Sequence, residues 1–90
     1  MAEVAWSRTA KKQLQAIRAY IAKDNPYAAR RTFLKLVAAS DSLALLPNRG
    51  RPISGGRREL PCVRPYLLRY RVGGDKVTIL EVRHAARKPD

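Results

Sequence analysis

Tyr66-Leu67-Leu68-Arg69-Tyr70-Arg71-Val72-Gly73-Gly74-Asp75-Lys76-Val77-Thr78-Ile79-Leu80-Glu81-Val82-Arg83-His84 holds the plan of a β-hairpin. Tyr66, Leu68, Tyr70 and Val72 alternate with Leu67, Arg69 and Arg71, the period of two that gives each face of a strand its own side chains. Gly73-Gly74-Asp75 supplies residues able to take positive φ, which a tight hairpin turn requires. Lys76 to His84 is then the returning strand, with Thr78, Leu80, Val82 and His84 on one side and Val77, Ile79, Glu81 and Arg83 on the other. Aliphatics alternating with arginines predict one covered face and one wet, basic face.

Upstream, Arg57 to Arg64 reads as a further strand with Leu60 and Cys62 on one side. Pro61 lacks a ladder donor and places that strand at an edge or a bulge. Glycine and proline punctuate 47–56 and predict a loop. Before it, Ala29, Phe33, Leu36, Ser40 and Leu43 recur on one helical face, opened by Asn25 as cap and Pro26 at the first helical position. Asp24-Asn25-Pro26 also ends an earlier helix, whose face is Ala10, Leu14, Ile17 and Ile21 and whose cap is Ser7. Glu3-Val4-Ala5-Trp6 is short and β-compatible, with Trp6 expected to anchor it to the helices. The predicted order is β-α-α-β-β-β over a single domain, 1–90. The fold class is α+β, an N-terminal helical hairpin packed on one face of a small, mainly antiparallel sheet.

Lys and Arg number 19 against 7 Asp and Glu, a net charge of +12 over 90 residues. Disorder pairs such charge with low hydrophobicity, whereas here 46% of residues are hydrophobic. Apolar runs reach only a handful of residues, far short of the roughly 20 of a membrane span. Met1 to Trp6 has no basic segment followed by an apolar one, so no secretory signal is expected and the cytosol is the expected compartment. One cysteine, Cys62, and one histidine, His84, argue against a disulfide, a metal centre and a Ser-His-Asp triad. A small, cofactor-free domain with an anionic partner remains, that partner being nucleic acid or an acidic protein. In the second half of the chain 9 of 11 basic residues are arginine, whose planar fork suits phosphate and carboxylate. Arg30 and Arg31 lie near the start of the second helix, where the dipole disfavours cations and acidic groups on a partner would offset the cost.

Six blocks in order resemble the RelE/ParE toxin superfamily, its ParE branch most closely. They are Trp6-Ser7 with the Leu14/Ile17/Tyr20-Ile21 helix, Asn25 to Ala29, Leu46 to Pro52, Arg58-Glu59-Leu60, Pro65 to Val72, and Val77 to Arg87. The resemblance implies the toxin of a type II toxin–antitoxin system, silenced by a cognate acidic, ParD-like antitoxin. ParE-like members poison DNA gyrase; RelE-like members are ribosome-dependent endoribonucleases. Ribonuclease members carry an arginine early in the central strand and a tyrosine or histidine-tyrosine pair at the C-terminus. This chain has Leu67, and Ala85-Ala86, at those places.

The resemblance therefore implies a gyrase-binding toxin, with Arg69, Arg71, Arg83, His84 and Arg87 as target-binding residues and none catalytic. Leu14, Ile17, Ile21, Phe33 and Leu36, flanked by Arg30 and Arg31, are the expected antitoxin contacts. The alternatives are an endoribonuclease using Arg69 or Arg71 with His84, and a nucleic-acid-binding module gripping phosphates with its basic sheet face.

Overall fold

A computed structural model describes residues 1–86. Ser7 ends the first strand, β1 (Glu3–Trp6), and starts α1 (Arg8–Ala22) by accepting the Ala10 N–H on its hydroxyl at 3.0 Å. Asn25 does the same for α2 (Pro26–Ser42), its Oδ1 accepting from Ala28 N at 3.0 Å. Each bond satisfies an amide that a helix start leaves without a partner. Three antiparallel strands follow: β3 (Arg57–Val63), β4 (Tyr66–Gly73) and β5 (Lys76–His84), with Gly74 at φ 59° in the last turn. The expected loop at 47–56 is only partly one. Arg51–Ile53 forms a short strand, β2, antiparallel to β3, and a 3₁₀ turn at Ser54–Gly56 leads into β3.

The sheet order is β1-β5-β4-β3-β2, with β1 parallel to β5 and the other neighbours antiparallel. Both helices cover one face, as expected for this α+β architecture. Ala10, Leu14, Leu36, Leu43, Leu60, Leu68, Tyr70, Val77, Ile79 and Val82 make the core between the layers. Trp6 ties β1 to α2 through a 3.2 Å bond from its indole N–H to the buried Ser40 hydroxyl.

Two bulges interrupt the ladders. Cys62 is extra between Pro61 and Val63, the irregularity that proline at 61 predicts. The second corrects the face assignment of β5. Arg69 pairs with Glu81 and Tyr70 with Ile79, so Leu80 is an unpaired extra residue. Parity switches across it. Val77 and Ile79 face the helices before the bulge; Val82 and His84 share that face after it, while Thr78 turns outward. Helix α1 holds the bulge in place. The Ser7 backbone N–H donates to Ile79 O at 2.9 Å, its hydroxyl donates to Leu80 O at 3.0 Å, and Gln13 Oε1 accepts the Val82 N–H at 2.8 Å.

Candidate functional site

The sheet face away from the helices carries one row of alternating charge across four strands: Arg51 opposite Glu59, Glu59 opposite Arg69, Arg69 opposite Glu81. Cross-strand neighbours stand close enough for their side chains to bond. Glu59 takes the two arginines on separate oxygens, Arg51 Nη2 on Oε1 at 2.7 Å and Arg69 Nε on Oε2 at 3.0 Å. Glu81 is flanked likewise, by Arg83 Nη1 at 3.1 Å and Arg57 Nη1 at 4.0 Å. Burial alone would push the Glu59 carboxyl up. The hydrogen bonds and positive charges of Arg51 and Arg69 outweigh that and hold it below its ordinary value of 4.5.

This geometry corrects the expectation of a wet basic face. Arg69 does sit opposite the aliphatic set, but it is only 8% exposed and bound to an equally buried Glu59. Arg83 is also largely covered and tied to Glu81. Arg71 remains exposed, its guanidinium donating to Gly55 O at 2.9 Å. Arg87 lies outside the described residues. The two glutamates are what single-strand alternation missed. Their signal was present, since Glu59 and Glu81 fall on the strand faces that carry Arg57, Arg69 and Arg83. Below the row, Arg51, Leu67, Arg69, Arg83 and His84 line a cleft of about 220 Å³.

A larger groove, about 590 Å³, runs between α1 and the free side of β5. Pairing with β1 stops at Ile79, so the strand beyond it has only β4 as a neighbour. Gln13, Ala16, Ile17 and Tyr20 form one wall, and Tyr66, Val82 and His84 the other. The His84 ring meets Tyr66 edge to face at 5.6 Å, and its Nδ1 accepts the Ala86 N–H at 3.1 Å. That bond puts the proton of the neutral ring on Nε2.

Of the expected antitoxin contacts, Ile17 lines this groove. Ile21 is half-buried, and Phe33 is half-buried beneath the Arg18 guanidinium, which stands 4.7 Å from its ring centroid. Arg30 and Arg31 are exposed. Leu14 and Leu36 are corrected: at 7% and 0% exposure they are core residues, spent on packing the helices to the sheet. Their helical spacing marks the inward face, and Ile17 lies at the border of that face with the groove. Gln13 and Tyr20 line the groove but were not among the expected contacts, because period alone ranks only the apolar stripe. Among the described residues no cluster of three or more His, Cys, Asp or Glu could hold a metal ion, and no helix is long and apolar enough to cross a membrane.

Comparisons with known proteins agree with this architecture. Residues 4–89 match the family model described as the ParE toxin of the type II toxin–antitoxin system parDE. The chain is 48% identical over 87 residues to a protein of Caulobacter vibrioides named Toxin RelE2, covering 97% of this chain and 99% of that one. It is 40% identical to the putative toxin Y4kP of Sinorhizobium fredii, over 91% of this chain and 86% of the other. Among solved structures, a chromosomal ParDE system from P. aeruginosa superposes with a TM-score of 0.79 at 28% identity, over 93% of this chain and 96% of that one. A full-length family match, two relatives and a shared fold converge: this chain belongs to the ParE toxin family of type II toxin–antitoxin systems.

Proposed function

We propose that this toxin arrests growth by binding DNA gyrase and that an acidic antitoxin silences it by covering the α1–β5 groove. The observation that carries the first half is the state of the outer sheet face. A metal-free ribonuclease needs a base and an acid beside cations aimed at the developing phosphorane charge. Here Glu59 and Glu81 are engaged by arginines, and Leu67 lines the cleft where ribonuclease relatives carry arginine. The antitoxin half is supported by the groove itself, apolar along Ala16, Ile17 and Val82 and surrounded by a strongly basic chain. An acidic segment that folds into it would cover the apolar wall and neutralise part of the +12. Purified toxin is expected to inhibit gyrase supercoiling, or to trap cleaved DNA, at low stoichiometry. Unchanged supercoiling together with cutting of ribosome-bound message would reject the gyrase reading.

That second outcome belongs to the endoribonuclease reading, which one observation favours: at the end of β5, His84 borders the cleft lined by Glu59, Arg69 and Arg83 as well as the α1–β5 groove. Induction of the chain in bacteria separates the two, the first giving a DNA-damage response and the second message cleavage.

A further inference from the structure

The cations of the two layers are partnered very differently. On the sheet, Arg51, Arg57, Arg69 and Arg83 are drawn against Glu59 and Glu81. The helical hairpin carries eight Lys and Arg against only Asp24 and Asp41, and among the described residues none of these eight is in an ion pair. Neither helix has an acidic residue in its first turn. On α1, Arg8, Lys11 and Lys12 therefore add their charge to the positive end of the helix dipole, an arrangement that disfavours the fold. Arg8, Lys12, Gln15 and Lys23 share the face of α1 opposite its buried Ala10 and Leu14, with Lys11 beside them, and all are exposed. From Arg8 to Lys23 the rise is about 22 Å.

We propose that this outer face of α1 is a contact surface for the phosphate backbone of a nucleic-acid duplex. The chemistry of the face selects that class of partner. An acidic protein helix needs apolar anchors as well as charge, and the solvent side of α2 offers them, with Tyr27 84% and Leu34 52% exposed. The outer face of α1 has cations and no large apolar side chain. Phosphodiester backbones require only that, since their affinity comes from counterion release rather than buried area. Duplex binding by α1 is independent of gyrase, and an assay without gyrase reads it separately.

The test uses the full chain and 20-bp DNA and RNA duplexes, with binding followed by anisotropy. Four contacts predict a slope of log K against log salt of about −3.6, hence about 150-fold weaker binding at 200 than at 50 mM salt. Arg8→Gln, Lys11→Gln and Lys12→Gln together should flatten the slope to about −0.9, or about fourfold over the same range. Thermal unfolding and circular dichroism verify that the triple variant folds; if it does not, the single Lys12→Gln variant should lower the slope by about 0.9. The matched triple on α2, Arg30→Gln, Arg31→Gln and Lys35→Gln, should leave the slope near that of the parent. Preference for DNA or for RNA identifies the natural duplex, and both support the surface. Four results overturn it: no binding at 50 mM salt, a slope near zero, equal loss in the α2 triple, or equally tight binding to polyglutamate.

Discussion

Tyr70 and Gly50 lock the loop before β2 onto the core. The fully buried phenol accepts the Gly50 N–H at 2.8 Å and donates to Pro47 O at 2.8 Å. One side chain of the central strand thereby satisfies both main-chain groups of a segment with no ladder of its own, and β2 leaves the loop already aimed at β3. A Cβ on Gly50 would stand 2.8 Å from the Tyr70 hydroxyl and 2.9 Å from Glu59 O.

Tyr70→Phe keeps the ring and strands an amide and a carbonyl, so it should cost about 1–3 kcal/mol. Gly50→Ala should cost at least as much, because Glu59 O is backbone and cannot yield cheaply. Urea unfolding of the two variants measures both. Parental stability in Tyr70→Phe would show that the loop is held elsewhere.

Glu59 makes acid stability its signature. Its folded pKa lies below the unfolded 4.5, so its contribution is complete above that value and disappears as pH falls through the folded one. Unfolding temperature should fall with acidification from pH 5 to pH 3, and Glu59→Gln should flatten this part of the profile. At pH 7 the same substitution leaves Arg69 buried beside a neutral amide, at a cost of about 3 kcal/mol.

Gln13→Ala removes the acceptor for the Val82 amide. The expected loss is about 1 kcal/mol. Faster hydrogen exchange should appear at Val82, while the core amides of Leu68 and Tyr70 keep their protection. Uniform loss of protection would mean that Gln13 supports the whole fold and not the bulge alone.

Cys62 should be chemically quiet. Burial pushes its thiol up to about 11, which leaves almost no thiolate at pH 8. Alkylation by iodoacetamide should be at least about tenfold slower in the folded chain than in urea.

Arg83→Ala should abolish growth arrest while antitoxin capture persists, since Arg83 faces the cleft and not the α1–β5 groove. Ile17→Asp should do the reverse. Growth curves and co-purification read the two effects, and a thermal melt of each variant guards against simple unfolding. Joint loss in Arg83→Ala would make it a structural partner of Glu81.

Local rules made much of this molecule readable. Ser7, Asn25 and Pro26 placed both helix starts, the Gly73-Gly74-Asp75 turn placed the hairpin, and the period of four and three placed the inward face of α1. Contacts across strands were harder. Arg69 alternates with core residues as a solvent-facing arginine would, and only the neighbouring strand reveals Glu59 beneath it. Leu80 is harder still, because a bulge has the same letters as a regular strand. Its evidence is distant in sequence: the hydroxyl of Ser7 and the amide of Gln13 supply the bonds that β5 lacks there.

The unpaired Leu80 has a consequence for how this strand can vary. After it, Glu81 and Arg83 belong to one surface and Val82 and His84 to the other, so two recognition texts are interleaved letter by letter along four residues. A point substitution edits one text and spares its neighbour. Straightening the bulge with Leu80 kept in the ladder would transpose them, sending charge into the groove and apolar side chains onto the outer face, whereas deleting Leu80 would leave a regular strand with both faces as they are. Divergence of partner and target in this region should therefore proceed by replacement, with the bulge either kept or lost together with its extra residue.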